Sequence, residues 1–220
     1  MKKRNNITLW MALGLLAAFA LWTAAISVID VQPVGPNGSE VGFAAANVAF
    51  HDATGVHMAL YTITDWLGLV PVFLGMGFAV LGLVQLIGRK SLLKVDRSIL
   101  ALGGFYLIVF GAYLFFETVV INYRPVLIEG YLEASYPSST TLLVLCMMPT
   151  AKMQLDGRIK NPAVRKIVGL AIVVFTVFMV VGRLISGVHW VTDIVGGILL
   201  SIGSFCIYQA VVLLCYKEEN

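Results

Sequence analysis

Arg183, His189 and Asp193 form the polar pattern of this sequence that points most specifically to chemistry. Five residues separate the first two, and three separate the last two. Because residues four apart share a helical face, a helix that begins near His189 brings the imidazole against the Asp193 carboxylate. A hydrogen bond between them would fix the imidazole tautomer and leave the other ring nitrogen free as a nucleophile. A purely structural His189–Asp193 pair is the alternative, but it leaves Arg183 without a role.

A second polar segment opens another predicted helix. Ser138 and Ser139 directly follow Pro137, at a place where free backbone N–H groups and hydroxyls can bind an anion. Plain capping of the helix is the alternative role of these serines. Arg124 and Arg183 add planar donors suited to two-point contact with phosphate oxygens. Together the two segments predict a phosphate-binding cradle that contains a histidine.

The elements that must position these residues are membrane-spanning helices. Of the 220 residues, 59% are hydrophobic and 12% are charged, whereas soluble domains carry about a quarter charged residues. Continuous apolar runs without alternation favour helices over a β-barrel, and about 20 residues per crossing allow one bundle. We therefore predict an all-α fold, a single domain over residues 1–220. Six spans are expected, at 7–29, 60–87, 99–121, 138–154, 163–185 and 189–216.

The cationic residues predict how the bundle is oriented. If there are six spans, all of the 15 Lys and Arg residues except Arg124 and Arg183 lie on one side. By the positive-inside rule that side is the cytoplasm, which also places both termini there. Arg124 and Arg183 lie at the outer ends of spans, against this bias, and are candidates for a functional site. Anchoring side chains that snorkel to the interface are the alternative.

Other polar or reactive residues carry weaker signals. Residues 30–59 form an outer loop without Lys or Arg, and a short interfacial helix is expected at 41–50. His51 and His57 in this loop either contact substrate or are solvated or capping residues. Three cysteines fall inside apolar runs without metal-ligand spacing, so we expect buried thiols rather than disulfides at Cys146, Cys206 and Cys215.

The chain resembles the type 2 phosphatidic acid phosphatase superfamily over nearly its whole length. Three motifs carry the resemblance: Arg124-Pro125, Pro137-Ser138-Ser139 and Arg183-x5-His189-x3-Asp193. The resemblance implies that His189 is a nucleophile that forms a phosphohistidine, with Asp193 supporting it. It implies phosphate binding by Arg124, Ser138, Ser139 and Arg183, and no need for a metal or another cofactor. Tyr123, next to Arg124, is a further candidate.

The sequence departs from the family pattern at two chemically important positions. Thr140 stands where the family has the histidine that protonates the leaving oxygen, and a hydroxyl is too weak an acid for that task. Losing general acid help costs about 10²–10⁴-fold in rate. Glu117 stands where the family has a lysine, which weakens phosphate binding unless the carboxyl turns toward a cation such as Arg124 or is protonated. Gly182 for serine and Ser139 for glycine only exchange small residues.

These observations lead to two expected functions. The first is a membrane lipid phosphatase that acts on a polyprenyl pyrophosphate or a phosphatidic-acid-like lipid, impaired by Thr140 through natural loss or deliberate substitution. The alternative is a catalytically silent lipid-phosphate binder or transporter. The expected partners are a lipid phosphate and membrane lipids, without nucleic acid. The expected location is a plasma membrane, the inner membrane of a bacterium, with the site facing the exterior or periplasm.

Overall fold

The structure is a computed structural model that describes residues 2–217, with the side chains of residues 5–213. Residues pair across the described chain only at isolated antiparallel bridges, and short 3-10 turns occupy Pro36–Gly38 and Leu92–Lys94. The predicted all-α fold is therefore confirmed for the described part. Its helices are α1 (Lys2–Ile26), α2 (Ala44–Thr54), α3 (Met58–Leu67), α4 (Leu69–Arg89), α5 (Arg97–Thr118), α6 (Ser139–Asp156), α7 (Pro162–Ile185) and α8 (Val191–Lys217).

Some side chains used in the sequence predictions fall outside this description. They are those of Lys2, Lys3, Arg4, Cys215 and Lys217. Cys146 and Cys206 are free, buried thiols. The cysteine prediction is thus confirmed for these two residues.

Helical stretches long and apolar enough to cross a membrane account for most of the chain. Large apolar side chains on their outer surfaces, such as Trp10 (73% exposed) and Leu107 (77% exposed), have little protein cover and are placed to face lipid. The chain is therefore an integral membrane protein. The described residues contain five such stretches: Asn5–Ile26, Met58–Arg89, Arg97–Thr118, Pro162–Ile185 and Val191–Leu213.

The fourth predicted span, at 138–154, corresponds to α6, which differs in character from the others. This helix has 18 residues, contains Pro149 and carries Lys152 and Asp156, and it is not among the five stretches apolar enough to span. It packs against α4, α5, α7 and α8. Because protein rather than lipid covers most of its surface, α6 can be less apolar than its neighbours. The sixth span stays a prediction for this helix.

Polar side chains of α6 find partners on the surrounding helices. The Thr150 hydroxyl lies 3.0 Å from the Tyr106 hydroxyl. The Gln154 amide donates to the Tyr208 hydroxyl at 2.8 Å and to the Ser98 carbonyl at 3.1 Å. An unpaired polar group is costly in an apolar interior, so these bonds favour one position of α6 and thereby fix where its N-terminal turn lies.

The start of α8 is held from the other side by α1 and α2. The Trp22 indole donates to the Thr192 carbonyl at 3.1 Å, and the Asn47 amide donates to the Thr192 hydroxyl at 3.0 Å. On α1, the Thr23 hydroxyl lies 2.7 Å from the Tyr136 hydroxyl in the segment that leads into α6. The N-terminal ends of α6 and α8 are therefore both tied to α1.

The short helix expected at 41–50 forms a few residues later, as α2. His57 caps the start of α3, and its Nε2 lies 2.9 Å from the Thr54 carbonyl. The His51 ring lies 5.6 Å from the Trp190 ring. Both histidines thus contact neighbouring protein groups, and a contact of either with substrate stays a prediction.

The close approach of α8 to Tyr136 gives a test of this packing. A Cβ at Gly196 would clash with a carbon of the buried Tyr136 ring. We expect Gly196→Ala to destabilise the protein by about 1–3 kcal/mol through overpacking, measured as a lower thermal unfolding temperature in detergent. Gly111→Ala in α5, where a Cβ meets nothing within 4 Å, is the matched control. Equal unfolding temperatures for the two variants would contradict the close packing of α8 on Tyr136.

Candidate active site

The polar residues predicted for a site come from separate parts of the chain and meet at one end of the bundle. None of the described residues forms a group of three His, Cys, Asp or Glu side chains placed to hold a metal ion. The contributing elements are the loop between α5 and α6 with Arg124, the start of α6 with Ser138, Ser139 and Thr140, the last turn of α7 with Arg183, the loop after it with His189, and the first turn of α8 with Asp193.

His189 lies buried between Arg124 and Asp193. Its Nε2 is 3.4 Å from Arg124 Nη1, a long hydrogen bond in which the guanidinium donates. Its Nδ1 is 3.6 Å from Asp193 Oδ2, which is beyond hydrogen-bond distance. The expected His189–Asp193 contact therefore forms, but the expected hydrogen bond does not.

The Asp193 carboxylate is instead bound by other donors. The backbone N–H of Trp190 donates to Oδ2 at 2.9 Å, and the Asn122 amide donates to Oδ1 at 3.2 Å. Both Asp193 and Asn122 are fully buried. The carboxylate thus joins the first turn of α8 to the segment that carries Arg124. Sequence reasoning missed Asn122, although a polar residue at the end of an apolar span was a usable signal.

His189 lies in the loop between α7 and α8. Its surroundings favour the neutral form of the imidazole. Burial lowers the pKa of His189 well below its ordinary value, and the guanidinium groups of Arg124 and Arg183 lower this pKa further. With Nε2 accepting from Arg124, the ring proton of a neutral imidazole belongs on Nδ1. That tautomer presents an unprotonated Nε2 to Arg124.

Arg183 is held by Thr140 and by a carboxylate on α3. Its Nε and Nη2 both donate to the Thr140 hydroxyl, at 2.9 and 2.7 Å, and Nη2 also donates to Asp65 Oδ1 at 2.8 Å. The remaining nitrogen, Nη1, is buried and has no hydrogen-bond partner in the described part of the chain. The guanidinium lies over the Tyr61 ring, 4.9 Å from its centroid. Arg183 therefore keeps one unused buried donor.

Arg124 is paired in a similar way. Its Nε lies 3.0 Å from Glu133 Oε2, and its guanidinium carbon is 5.8 Å from the centroid of the same Tyr61 ring. Sequence reasoning missed Tyr61, Asp65 and Glu133. Of these three residues, Asp65 could have been predicted from the sequence, because an acidic residue inside an apolar span needs a partner.

The two serines at the start of α6 take different positions. Ser138 is fully buried, and its hydroxyl accepts from the backbone N–H and from the hydroxyl of Thr141, at 3.4 and 3.1 Å. It is thus the N-cap of α6, the alternative role considered above. Ser139 is half-buried and lines a small cavity together with His189.

Glu117 lies at the same cavity, in the last turn of α5. Its side chain is exposed and makes no ion pair or hydrogen bond within the described chain, and Arg124 pairs with Glu133 instead. Tyr123 contributes through its backbone, because its carbonyl accepts from the Trp190 indole at 2.8 Å. The cavity therefore brings an unpaired carboxylate close to the imidazole.

The buried neutral histidine predicts a pH-dependent stability. Below the ordinary histidine pKa of about 6.5 the unfolded chain binds a proton that the folded His189 site resists, so folding weakens by up to about 1.4 kcal/mol per pH unit. We expect the unfolding temperature of the wild type to fall more between pH 7.5 and 5.5 than that of His189→Gln. His57→Gln, which removes an exposed imidazole, is the matched control. Parallel pH dependences for the wild type and His189→Gln would contradict this environment.

Comparisons with known proteins agree with the fold and with the predicted resemblance. Among solved structures, a transmembrane PAP2 type phosphatidylglycerolphosphate phosphatase from Bacillus subtilis is similar, with a TM-score of 0.61, 19% sequence identity, and coverage of 96% of this chain and 97% of that chain. No curated protein sequence matches. A family model described as the PAP2 superfamily matches residues 98–216. Because this match spans more than half of the chain, the protein belongs to the PAP2 superfamily, the type 2 phosphatidic acid phosphatases that its motifs resemble.

Proposed function

We propose that this chain is a membrane lipid phosphatase that hydrolyses a lipid phosphate or pyrophosphate through a phosphohistidine at His189. The observation that carries the proposal is the buried imidazole whose Nε2 faces Arg124, with Arg183 beside the same Tyr61 ring. Two guanidinium groups around an unprotonated nitrogen suit attack on a bound phosphate. Membership of the family and the likeness to a membrane lipid phosphatase support the same activity.

The phosphate would bind between the two arginines. Arg183 offers its unused Nη1, and Arg124 offers the Nη1 that now contacts His189. The Ser139 hydroxyl lines the adjoining cavity, and free N–H groups at the start of α6 add a positive helix terminus. Ser138 would act mainly by capping this turn. These donors are positioned before the substrate arrives, which is the arrangement that stabilises developing charge most effectively.

In the proposed reaction, His189 Nε2 attacks phosphorus on the side opposite the leaving oxygen. The N–P bond forms while the P–O bond breaks, and the bonding electrons stay on the leaving oxygen. Asp193, 3.6 Å from Nδ1, stabilises the positive charge that develops on the ring. Water then attacks the phosphohistidine, releasing phosphate and restoring the neutral imidazole.

Thr140 limits this reaction, because it occupies the position of the general acid. Its hydroxyl already accepts two hydrogen bonds from Arg183, and threonine is too weak an acid to protonate a leaving alkoxide. These contacts also give the second candidate function its support: a chain that binds or moves lipid phosphates without cleaving them. Such a protein would keep Arg124 and Arg183 for binding and have no need of His189 as a nucleophile.

We also propose that the site faces the non-cytoplasmic side, with α6 as the sixth span and both termini in the cytoplasm. The supporting observation is the distribution of charge along the helices. Arg89 ends α4, Arg97 begins α5, and Lys152 and Arg165 lie where α6 ends and α7 begins, all at helix ends opposite to those that carry the site. A basic end of this kind is typical of the cytoplasmic side.

Restoring the general acid tests the phosphatase proposal. We expect Thr140→His to release inorganic phosphate from lipid phosphates in proteoliposomes about 10²–10⁴-fold faster than the wild type. Adding His189→Asn to this variant removes the nucleophile and is expected to abolish release. Colorimetric phosphate measurement with a lipid phosphate and a lipid pyrophosphate checks both expectations.

Lipid transport measured on the same proteoliposomes separates the alternative function. A lipid-phosphate transporter would move labelled headgroups across the bilayer equally well in the wild type and in His189→Asn. If Thr140→His releases no phosphate from either substrate while transport survives His189→Asn, the phosphatase proposal is wrong and the transporter takes its place.

A further inference from the structure

A broad groove lies between α6 and α7 at the end of the bundle opposite to the candidate active site. Its volume is about 610 Å³, which falls within the range of small-molecule binding sites. The last turns of α6 and the first turns of α7 form its walls. Because Thr140 and Arg183 lie at the other ends of these two helices, the groove is a separate feature from the phosphate cradle.

The polar end of this groove carries an excess of positive charge. Its charged lining residues are Lys152 and Asp156 on α6 and Arg165 and Lys166 on α7. Lys152 donates to Asp156 at 2.5 Å, so these two charges compensate each other. The side chains of Arg165 and Lys166 are exposed and make no ion pair or hydrogen bond within the described chain. Two cations on one wall therefore attract an anion from outside the chain.

An apolar strip continues from these cations along α7. Lys166, Leu170 and Val173 all line the groove and follow one another at helical spacing, so they share one face of the helix. Leu170 and Val173 are 64% and 50% exposed. Val173 lies about 16 Å along the helix from Pro162, close to half of the hydrocarbon thickness of about 30 Å. The groove thus runs from a cationic rim into the apolar layer of the membrane.

This order of groups along the groove matches one class of ligand. A phospholipid has its headgroup at the membrane surface and acyl chains that run toward the bilayer centre. A free phosphate or an acidic peptide would satisfy the cations but leave the apolar strip uncovered. In the orientation proposed above, the groove opens to the cytoplasmic leaflet, where anionic lipids create a negative surface and basic pockets between spanning helices bind their headgroups.

We propose that the groove between α6 and α7 binds an anionic phospholipid, with its phosphate on Arg165 and Lys166 and an acyl chain along Leu170 and Val173. A lipid in this position contacts both helices. Because it binds the folded chain, it stabilises their packing. The binding is a property of the opposite end of the bundle and does not depend on the proposed phosphatase activity.

Photo-crosslinking in phosphatidylcholine vesicles tests this site directly. The probes are trace amounts of phosphatidylglycerol or phosphatidylcholine that carry the same diazirine-labelled acyl chain, and peptide mapping by mass spectrometry locates the adducts. We expect phosphatidylglycerol to label residues 167–177 at least about tenfold more than phosphatidylcholine, since each of two cations near an anionic lipid contributes about fivefold. Arg165→Gln combined with Lys166→Gln is expected to lower the phosphatidylglycerol labelling to the phosphatidylcholine level.

Two controls make the result specific to the groove. Lys90→Gln combined with Lys94→Gln removes two cations at the same end of the bundle, outside the groove, and is expected to keep the wild-type labelling ratio. Adducts around Leu107, which is 77% exposed on α5, report general lipid contact. Both probes are expected to label that stretch equally in every variant that inserts correctly.

Unlabelled competitors separate a lipid from a free anion. Unlabelled dioleoyl phosphatidylglycerol is expected to suppress the labelling of α7, whereas inorganic phosphate and glycerophosphoglycerol, the same headgroup without acyl chains, are expected to leave it unchanged. If either soluble anion competes as well as the lipid at equal concentration, the groove binds a free anion and the proposal is wrong.

The labelling ratio gives the other decisive outcomes. Equal labelling of residues 167–177 by the two probes in the wild type would overturn the proposal, and so would a phosphatidylglycerol excess that survives the loss of Arg165 and Lys166. If this double variant inserts poorly, as judged from the adducts around Leu107, the wild-type ratio and the competition decide the question without it.

Discussion

The buried carboxylate of Asp193 is the interaction on which the geometry of the site depends. It accepts hydrogen bonds from Trp190 in the turn before α8 and from Asn122 in the segment after α5, and the backbone carbonyl of Asp193 accepts from the Ser138 N–H at 3.1 Å. A carboxylate without partners would be very costly at this depth. The side-chain and backbone bonds of Asp193 together therefore hold the start of α8, the segment after α5 and the start of α6 in one place. Arg124 reaches His189 because the hydrogen bond from Asn122, two residues earlier, holds its segment against Asp193.

Thr140 separates two roles that one residue would otherwise combine. Its hydroxyl accepts from Arg183 and so holds that guanidinium beside Tyr61. It cannot, however, give up a proton at useful rates. Under the proposed function, the site would keep the order needed to bind a phosphate while lacking the acid needed to expel an alcohol. Binding and turnover would then be separable properties, which is why the proposed function has a non-catalytic competitor.

The parts of the fold and site that sequence predicts well are those with strong local patterns. Apolar runs gave the helices, and the spacing from Arg183 to Asp193 gave a set of residues that do lie together. Partners from distant segments escaped prediction, because nothing local in Tyr61 or Glu133 marks a contact with residues far along the chain. The sequence also could not predict that His189 and Asp193 lie too far apart for a hydrogen bond. That distance depends on Trp190 and Asn122, which donate to the Asp193 carboxylate in place of the imidazole. The lower apolarity of α6 has its cause in the surrounding helices, which cover it with protein instead of lipid, and the local sequence does not reveal that cover.

The paired carboxylates around the two arginines have a consequence for turnover. Asp65, whose side chain is 55% exposed, and Glu133 form ion pairs with Arg183 and Arg124. A phosphate headgroup that binds as proposed would therefore exchange one anion for another instead of filling an uncompensated positive site. In the proposed reaction, the same two carboxylates would compete with free orthophosphate for the arginines after cleavage. Resting counter-ions of this kind work against product inhibition.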